Sequence, residues 1–257
     1  KVKELLSLQQ CLSSPPHHDE MLFIIIHQTY ELWFCLILHE CDSAIAAMNA
    51  DDTIIAEQRL ARVVEIQRIL VQQIHILETM LPVDFLAFRN QLKPASGFQS
   101  AQFREIEFTS GLKDPRILLY FQDEPAAHTR LVRRLAMPTL GEAFYALLAR
   151  RGWNVTVPPP RGETEKWQLW RDKTIVELLK IYTTPTAHYD VYRLAERLIE
   201  FDENLSLWRY HHVRMVERMI GFKQGTGGSE GVGYLMQTIS MQSFPELWEL
   251  RTRLELP

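Results

Sequence analysis

Histidine and glycine carry the chemistry that can be read from this sequence. The chain has nine histidines and eleven glycines, and six of the glycines (Gly221, Gly225, Gly227, Gly228, Gly231 and Gly233) fall within thirteen residues. That density marks a segment needing positive φ or close backbone approach to a ligand. It is not a phosphate-binding loop: no Gly-Lys-Ser/Thr follows, no GxGxxG register fits, and a helical pattern rather than a strand precedes it. Just upstream, Leu207-Trp208-Arg209-Tyr210-His211-His212-Val213 reads as a helix. An imidazole on such a rigid element can ligate haem iron through one ring nitrogen and donate through the other. Only one of the adjacent pair His211 and His212 can face a given pocket, because they stand ~100° apart around a helix.

The other histidines narrow the choices. His17-x-Asp19 has the spacing of two ligands of a non-haem iron facial triad, but it sits beside Pro15 and Pro16 in a loop, and the strands such sites occupy are missing. No Glu-x-x-His pair signals a di-iron bundle, and no HExxH signals a zinc protease. His39, His75, His128 and His188 are lone residues on helical faces, read as structural. His27 and Glu31, one turn apart inside the apolar stretch Glu20–Met48, could act as base and orienter or satisfy each other.

These residues must be positioned by helices. Leu60, Val63, Leu70, Ile74, Leu77 and Leu81 recur at helical steps, which predicts one amphipathic helix. Glu20–Met48 is apolar nearly all round and predicts a helix inside a bundle. Further helices are expected at about Phe98–Ser110, Ala126–Arg151, Lys166–Tyr182, Ala187–Met219 and Tyr234–Leu254. Strand signals are absent, and Pro158-Pro159-Pro160 reads as a loop. The expectation is one all-α domain over residues 1–257, a helical bundle with a small helical insert at roughly 120–180.

Composition sets the outer limits. With 46% hydrophobic and 23% charged residues the chain can bury a sizeable core. A net charge of −4 argues against nucleic-acid or polybasic membrane-surface binding. Three cysteines (Cys11, Cys35, Cys41) form no CxxC pair, and the longest apolar runs fall short of the ~20 residues of a bilayer span. A cytoplasmic protein with no membrane partner is expected.

Several motifs together resemble one family. His27-Gln28-Thr29-Tyr30-Glu31-Leu32-Trp33, Ala95-Ser96-Gly97-Phe98-Gln99-Ser100, Phe103-Arg104-x-Ile106-Glu107, Trp208-Arg209-Tyr210-x-His212 and Gly225-Thr226-Gly227-Gly228-Ser229 are similar, in order and spacing, to tryptophan 2,3-dioxygenase. The likeness runs from about His17 to Leu250. It implies a helical bundle enclosing a b-type haem, active in the Fe2+ form, with His212 as the axial iron ligand and with Ser96 and Gly225 near the cofactor. It implies O2 as co-substrate, inserted across the indole C2–C3 bond of L-tryptophan to give N-formylkynurenine, the entry to tryptophan catabolism by the kynurenine pathway. His27 matches the distal histidine that hydrogen-bonds the indole N–H, and Arg89 matches the arginine that grips the substrate carboxylate. Thr226 matches the threonine that contacts the amino-acid end, Phe23 and Phe85 the apolar walls around the indole, and Ser96 a position near substrate and haem.

The resemblance also implies a homotetramer whose N-terminal segments are exchanged between subunits. The chain departs from the family pattern at Ile26, Cys35 and Cys41, where Gln, Lys and Leu are usual. Those departures leave an alternative: a relative that places one oxygen atom on a substituted tryptophan, for example giving an oxindole in secondary metabolism.

Overall fold

The computed structural model describes residues 1–92, 100–161, 164–223 and 232–255. Among these every regular element is helical and there is no strand, so the all-α expectation holds. The helices, in chain order, are α1 (Val2–Leu5), α2 (His18–Asn49), α3 (Thr53–Leu77), α4 (Pro82–Phe88), α5 (Ala101–Thr109), α6 (Pro125–Ala136), α7 (Leu140–Arg150), α8 (Thr164–Thr183), α9 (Tyr189–Ile220), α10 (Val232–Thr238) and α11 (Pro245–Glu249). Short 3-10 segments follow at Arg89–Leu92, Pro115–Phe121 and Leu250–Arg253.

Local chemistry explains most boundaries. The Asp52 carboxylate accepts from the Ile55 amide at 3.0 Å and caps the start of α3. Ser100 Oγ does the same for Phe103 N at 3.1 Å at the head of α5. Proline at the first position, where no amide hydrogen is needed, opens α4, α6 and α11. Two stretches expected as single helices are broken. Ala126–Arg151 is interrupted at Met137-Pro138, after which Thr139 and Glu142 form a reciprocal capping box that starts α7 afresh. Tyr234–Leu254 is interrupted between Thr238 and Pro245 and becomes α10, α11 and a 3-10 turn. The helix expected to reach Leu81 ends at Leu77, and Pro82 starts α4, an element not anticipated from the periodicity.

The chain divides into two compact units. The first comprises Lys1–Leu36, Ile66–Phe103 and Asn204–Met241; the second comprises Ile37–Glu65, Arg104–Glu203 and Gln242–Pro257. In the first, Tyr30, Phe34, Leu70, Ile74, Phe88, Phe103 and Val213 are buried. In the second, Leu60, Phe108, Phe121, Leu131, Phe144, Phe201 and Phe244 form the apolar interior. Residues 120–180, expected as a helical insert, lie in the second unit.

That second unit also buries charge in paired form. Asp202 accepts from Ser243 N at 2.9 Å, Phe244 N at 3.3 Å and Trp248 Nε1 at 2.9 Å. Arg161 donates to the carbonyls of Gln242 and Ser243. Tyr145 donates to Glu246 at 2.5 Å, and burial pushes the Glu246 carboxyl up to about 6. Contrary to the reading of the apolar runs, α2 is by length and composition long and apolar enough to cross a membrane. Its Glu40 is buried and pairs with Arg62 at 2.7 Å. All three cysteines are free thiols: Cys35 exposed, Cys41 buried in the second unit.

Candidate active site

Four elements of the first unit bring the chemistry together: the N-terminal part of α2, α4, the start of α5 and the C-terminal part of α9. On α2, Phe23 and His27 are one turn apart and therefore share a face. Their ring centroids lie 4.0 Å apart. His27 Nδ1 lies 2.7 Å from the Phe23 carbonyl oxygen. An oxygen with no hydrogen can only accept, so Nδ1 carries the proton and Nε2 of the neutral ring is left with its lone pair. The expected pairing with Glu31 does not form, because the Glu31 carboxylate accepts from Gln102 Nε2 at 2.7 Å instead.

Helix α4 supplies the aromatic wall. Phe85 lies 5.7 Å and Phe88 5.8 Å from Phe23, and these two rings meet edge-on at 5.5 Å. Phe88 is fully buried and supports the other two; the sequence reading passed over it, although it stands three residues beyond Phe85 on a helix. Arg89 closes α4 one turn after Phe85, which places it on the side of the helix that carries this wall. His17 turns its ring toward Phe88 at 6.3 Å rather than joining Asp19 as a ligand pair. Among the described residues no group of three or more His, Cys, Asp or Glu could hold a metal ion.

On α9, Trp208 and His212 are again one turn apart and stack with ring centroids 5.0 Å apart and planes 8° from parallel. The neighbouring His211 faces elsewhere, against His75 at 5.4 Å. This settles which of the adjacent pair shares the Trp208 face.

Electrostatics ties His27 to His212. Burial lowers the pKa of His27, outweighing its bond to the Phe23 carbonyl and the nearby Glu31 charge, both of which raise it. Burial, with a further contribution from the charge of His27, lowers His212 to about 4. The two imidazoles are thus near enough for a proton on one to oppose a proton on the other. Yet His27 retains exposed surface and His212 is only half-buried. Both are neutral at pH 7, the form in which imidazole offers a lone pair to a metal or a donor.

Of the residues expected at the site, the structure brings together Phe23, His27 and Phe85, sets Arg89 one turn after Phe85 on α4, and places His212 within electrostatic reach of His27. Ser96, Gly225 and Thr226 lie outside the described residues. Of the three departures, Ile26 is a buried core residue of the first unit, while Cys41 belongs to the second.

The N-terminal segment is held against α2 close to His27. Gln28 accepts from Gln9 Nε2 at 2.6 Å and donates to the Leu8 carbonyl at 3.1 Å. The buried Glu20 carboxylate accepts from Leu12 N, Ser13 N and Ser13 Oγ. Burial works against this carboxylate, but these donors hold it below its ordinary range.

Comparison with known proteins fits this picture. The family model described as tryptophan 2,3-dioxygenase matches residues 1–130 and 168–254. The tryptophan 2,3-dioxygenase of Herpetosiphon aurantiacus is 46% identical, covering 99% of this chain and 96% of that protein. The Myxococcus xanthus protein of the same name is 43% identical over 100% of this chain and 88% of its own length. That of Rhodococcus jostii is 44% identical over 97% and 88%.

Proposed function

Because the chain belongs to the tryptophan 2,3-dioxygenase family, we propose that it inserts both atoms of O2 across the indole C2–C3 bond of L-tryptophan to give N-formylkynurenine. The observation that carries this reading is the near full-length match to the family, with Phe23, His27 and Phe85 of its motifs gathered in one aromatic cluster. The residues present fit a b-type haem: His212, a neutral imidazole on a rigid helix and stacked on Trp208, would hold its iron. When bound, haem supplies the site at which oxygen is taken up and activated.

The protein side chains supply recognition and orientation. His27 accepts the indole N–H at Nε2, the lone pair left by its Nδ1–H bond to Phe23. Phe23 and Phe85 sandwich the indole edge and exclude water, while Phe88 keeps both from turning away. Arg89 binds the substrate carboxylate with two parallel N–H bonds from its guanidinium. Thr226 contacts the amino-acid end and Ser96 and Gly225 border the cofactor, roles assigned through the family motifs they occupy. Holding indole and oxygen in attack geometry is the main source of rate.

The single-oxygen alternative is not favoured, since the relatives that match nearly the whole chain carry the dioxygenase name. A homotetramer in which N-terminal segments are exchanged between subunits follows from the family resemblance, and the exposed Val2 and Leu6 offer apolar surface for subunit contact. A cytoplasmic location goes with the three free thiols.

The test is turnover of L-tryptophan by haem-reconstituted protein under 18O2. The expected product is N-formylkynurenine carrying two labelled oxygens. A product with one labelled oxygen, or no oxygen uptake by protein that does bind haem, overturns the assignment.

A further inference from the structure

Two features of the His212 surroundings go beyond what the reading above requires. The first is the parallel stack with Trp208, at 5.0 Å and 8°, among neighbouring ring pairs that are all tilted or edge-on. The second is that Trp208 is itself locked. Phe103 lies 4.8 Å from its ring, while Tyr30 at 6.2 Å and Phe34 at 6.4 Å meet it edge-on. Tyr30 is fixed in turn by donating its hydroxyl hydrogen to the Leu70 carbonyl at 2.6 Å.

A histidine ring turns easily about its Cβ–Cγ bond, since that torsion has broad, shallow minima. An edge-on neighbour leaves most of that rotation open. A face laid parallel to the imidazole does not, because any turn drives ring edges into the stacked surface. No hydrogen bond to His212 competes with this contact among the interactions of the described residues. We infer that Trp208 is a positioning residue for His212: the aromatic box of Tyr30, Phe34 and Phe103 holds the indole, and the indole face holds the imidazole in one rotational setting, so that its ligating nitrogen is presented to haem iron in a single direction. This rests on the reading of His212 as the haem ligand and adds to it what sets the ligand's orientation. A neighbour that merely filled space would do so equally well with an aliphatic side chain of similar volume.

The experiment compares haem-reconstituted wild type with Trp208→Phe, which keeps a stacking face, and with Trp208→Leu and Trp208→Met, which fill volume without one. Two readouts are taken: the iron–histidine stretching band of the ferrous protein by resonance Raman, and the rate of haem loss to excess apomyoglobin. Wild type and the Phe variant are expected to show one narrow band. The Leu and Met variants are expected to show a shifted or split band and haem loss faster by about two- to tenfold, the equivalent of one aromatic pair. Should Trp208→Leu fail to fold, the more adaptable Met variant carries the comparison. Wild-type band and haem-loss rate in the Leu and Met variants overturn the inference, as does a Phe variant as impaired as these two. Wild type that takes up no haem, or His212→Ala with an unchanged Soret band, overturns the haem reading itself instead.

Discussion

The sharpest consequence of the site geometry concerns the lone pair on His27 Nε2. Replacing His27 with Leu keeps a side chain of comparable bulk against Phe23 and removes only the acceptor. The Phe23 carbonyl is not orphaned by the change, since it lies within α2 and keeps the backbone amide one turn on as its donor. The variant should therefore fold normally. In the bound complex the indole N–H then faces the Phe23 and Phe85 rings with no acceptor. Leaving one donor unsatisfied in such a place costs about 1–3 kcal/mol, or roughly 5- to 150-fold in kcat/KM for L-tryptophan. The control is the tryptophan analogue with sulfur in place of the ring N–H, whose affinity is measured in wild type and variant by haem spectral titration. Wild type should prefer tryptophan over the analogue, and the variant should lose that preference. A variant whose kcat/KM stays within about twofold of wild type, or which still discriminates against the sulfur analogue as strongly as wild type, refutes the assignment of Nε2 as the indole acceptor.

Arg89→Ala should raise KM for tryptophan by roughly 10- to 100-fold, the worth of a charge-assisted carboxylate pair, while haem content read from the Soret band stays unchanged. Because burial lowers the His27 pKa, its acceptor should survive acidification: kcat/KM should hold level down through pH 6.5, the ordinary histidine midpoint, and fall only at more acidic pH. A midpoint at or above 6.5 would contradict the enclosed setting of the ring. Glu246 titrates the other way. Its folded pKa is raised from 4.5 to about 6, so the folded state binds the extra proton and the stability this confers is present below about pH 4.5 and lost as pH rises through 6. Glu246→Gln should remove about 1.5 kcal/mol of pH dependence from denaturant unfolding between pH 4.5 and 6.5, a difference that direct comparison of the two proteins reads. Asp202→Ala strips the acceptor from two backbone amides and the Trp248 indole, and should lower unfolding free energy by about 3–6 kcal/mol; Asp202→Asn should cost less, since one amide oxygen remains.

What could be seen in the linear chain follows physical lines. The long helices α2, α8 and α9 were legible because ten or more residues of consistent pattern outweigh any local exception. The break at Pro138 was not, since a single missing proline amide ends α6 without disturbing the apolar pattern at large, nor was the end of α10 at Thr238, seven residues before Pro245 opens α11. Helix α4, seven residues long, is too short for periodicity to register, yet it carries the aromatic wall and Arg89. His27 and His212 stood out as motif members. Trp208 lay in the same quoted motif but its role did not, because a ring at i and another at i+4 say that two side chains meet without saying whether they meet edge-on or face-on. Likewise Glu31 looked like a partner for His27 by spacing alone; Gln102, seventy-one residues away, claims its carboxylate, and no local pattern reports so distant a competitor.

The grip of Glu20 on residues 12 and 13 bears on how this protein can be handled. The short helix α1 before it is wholly solvent-facing, and trimming ahead of about Ser7 removes the Leu5 carbonyl that Gln9 donates to but leaves the contacts of Glu20 in place. A cut beyond Ser13 is a different matter: it strands a carboxylate that has 1% of its surface in water, and Ser13 Oγ no longer receives the His17 amide. The boundary chosen at the bench decides whether the helix that presents His27 begins where it should.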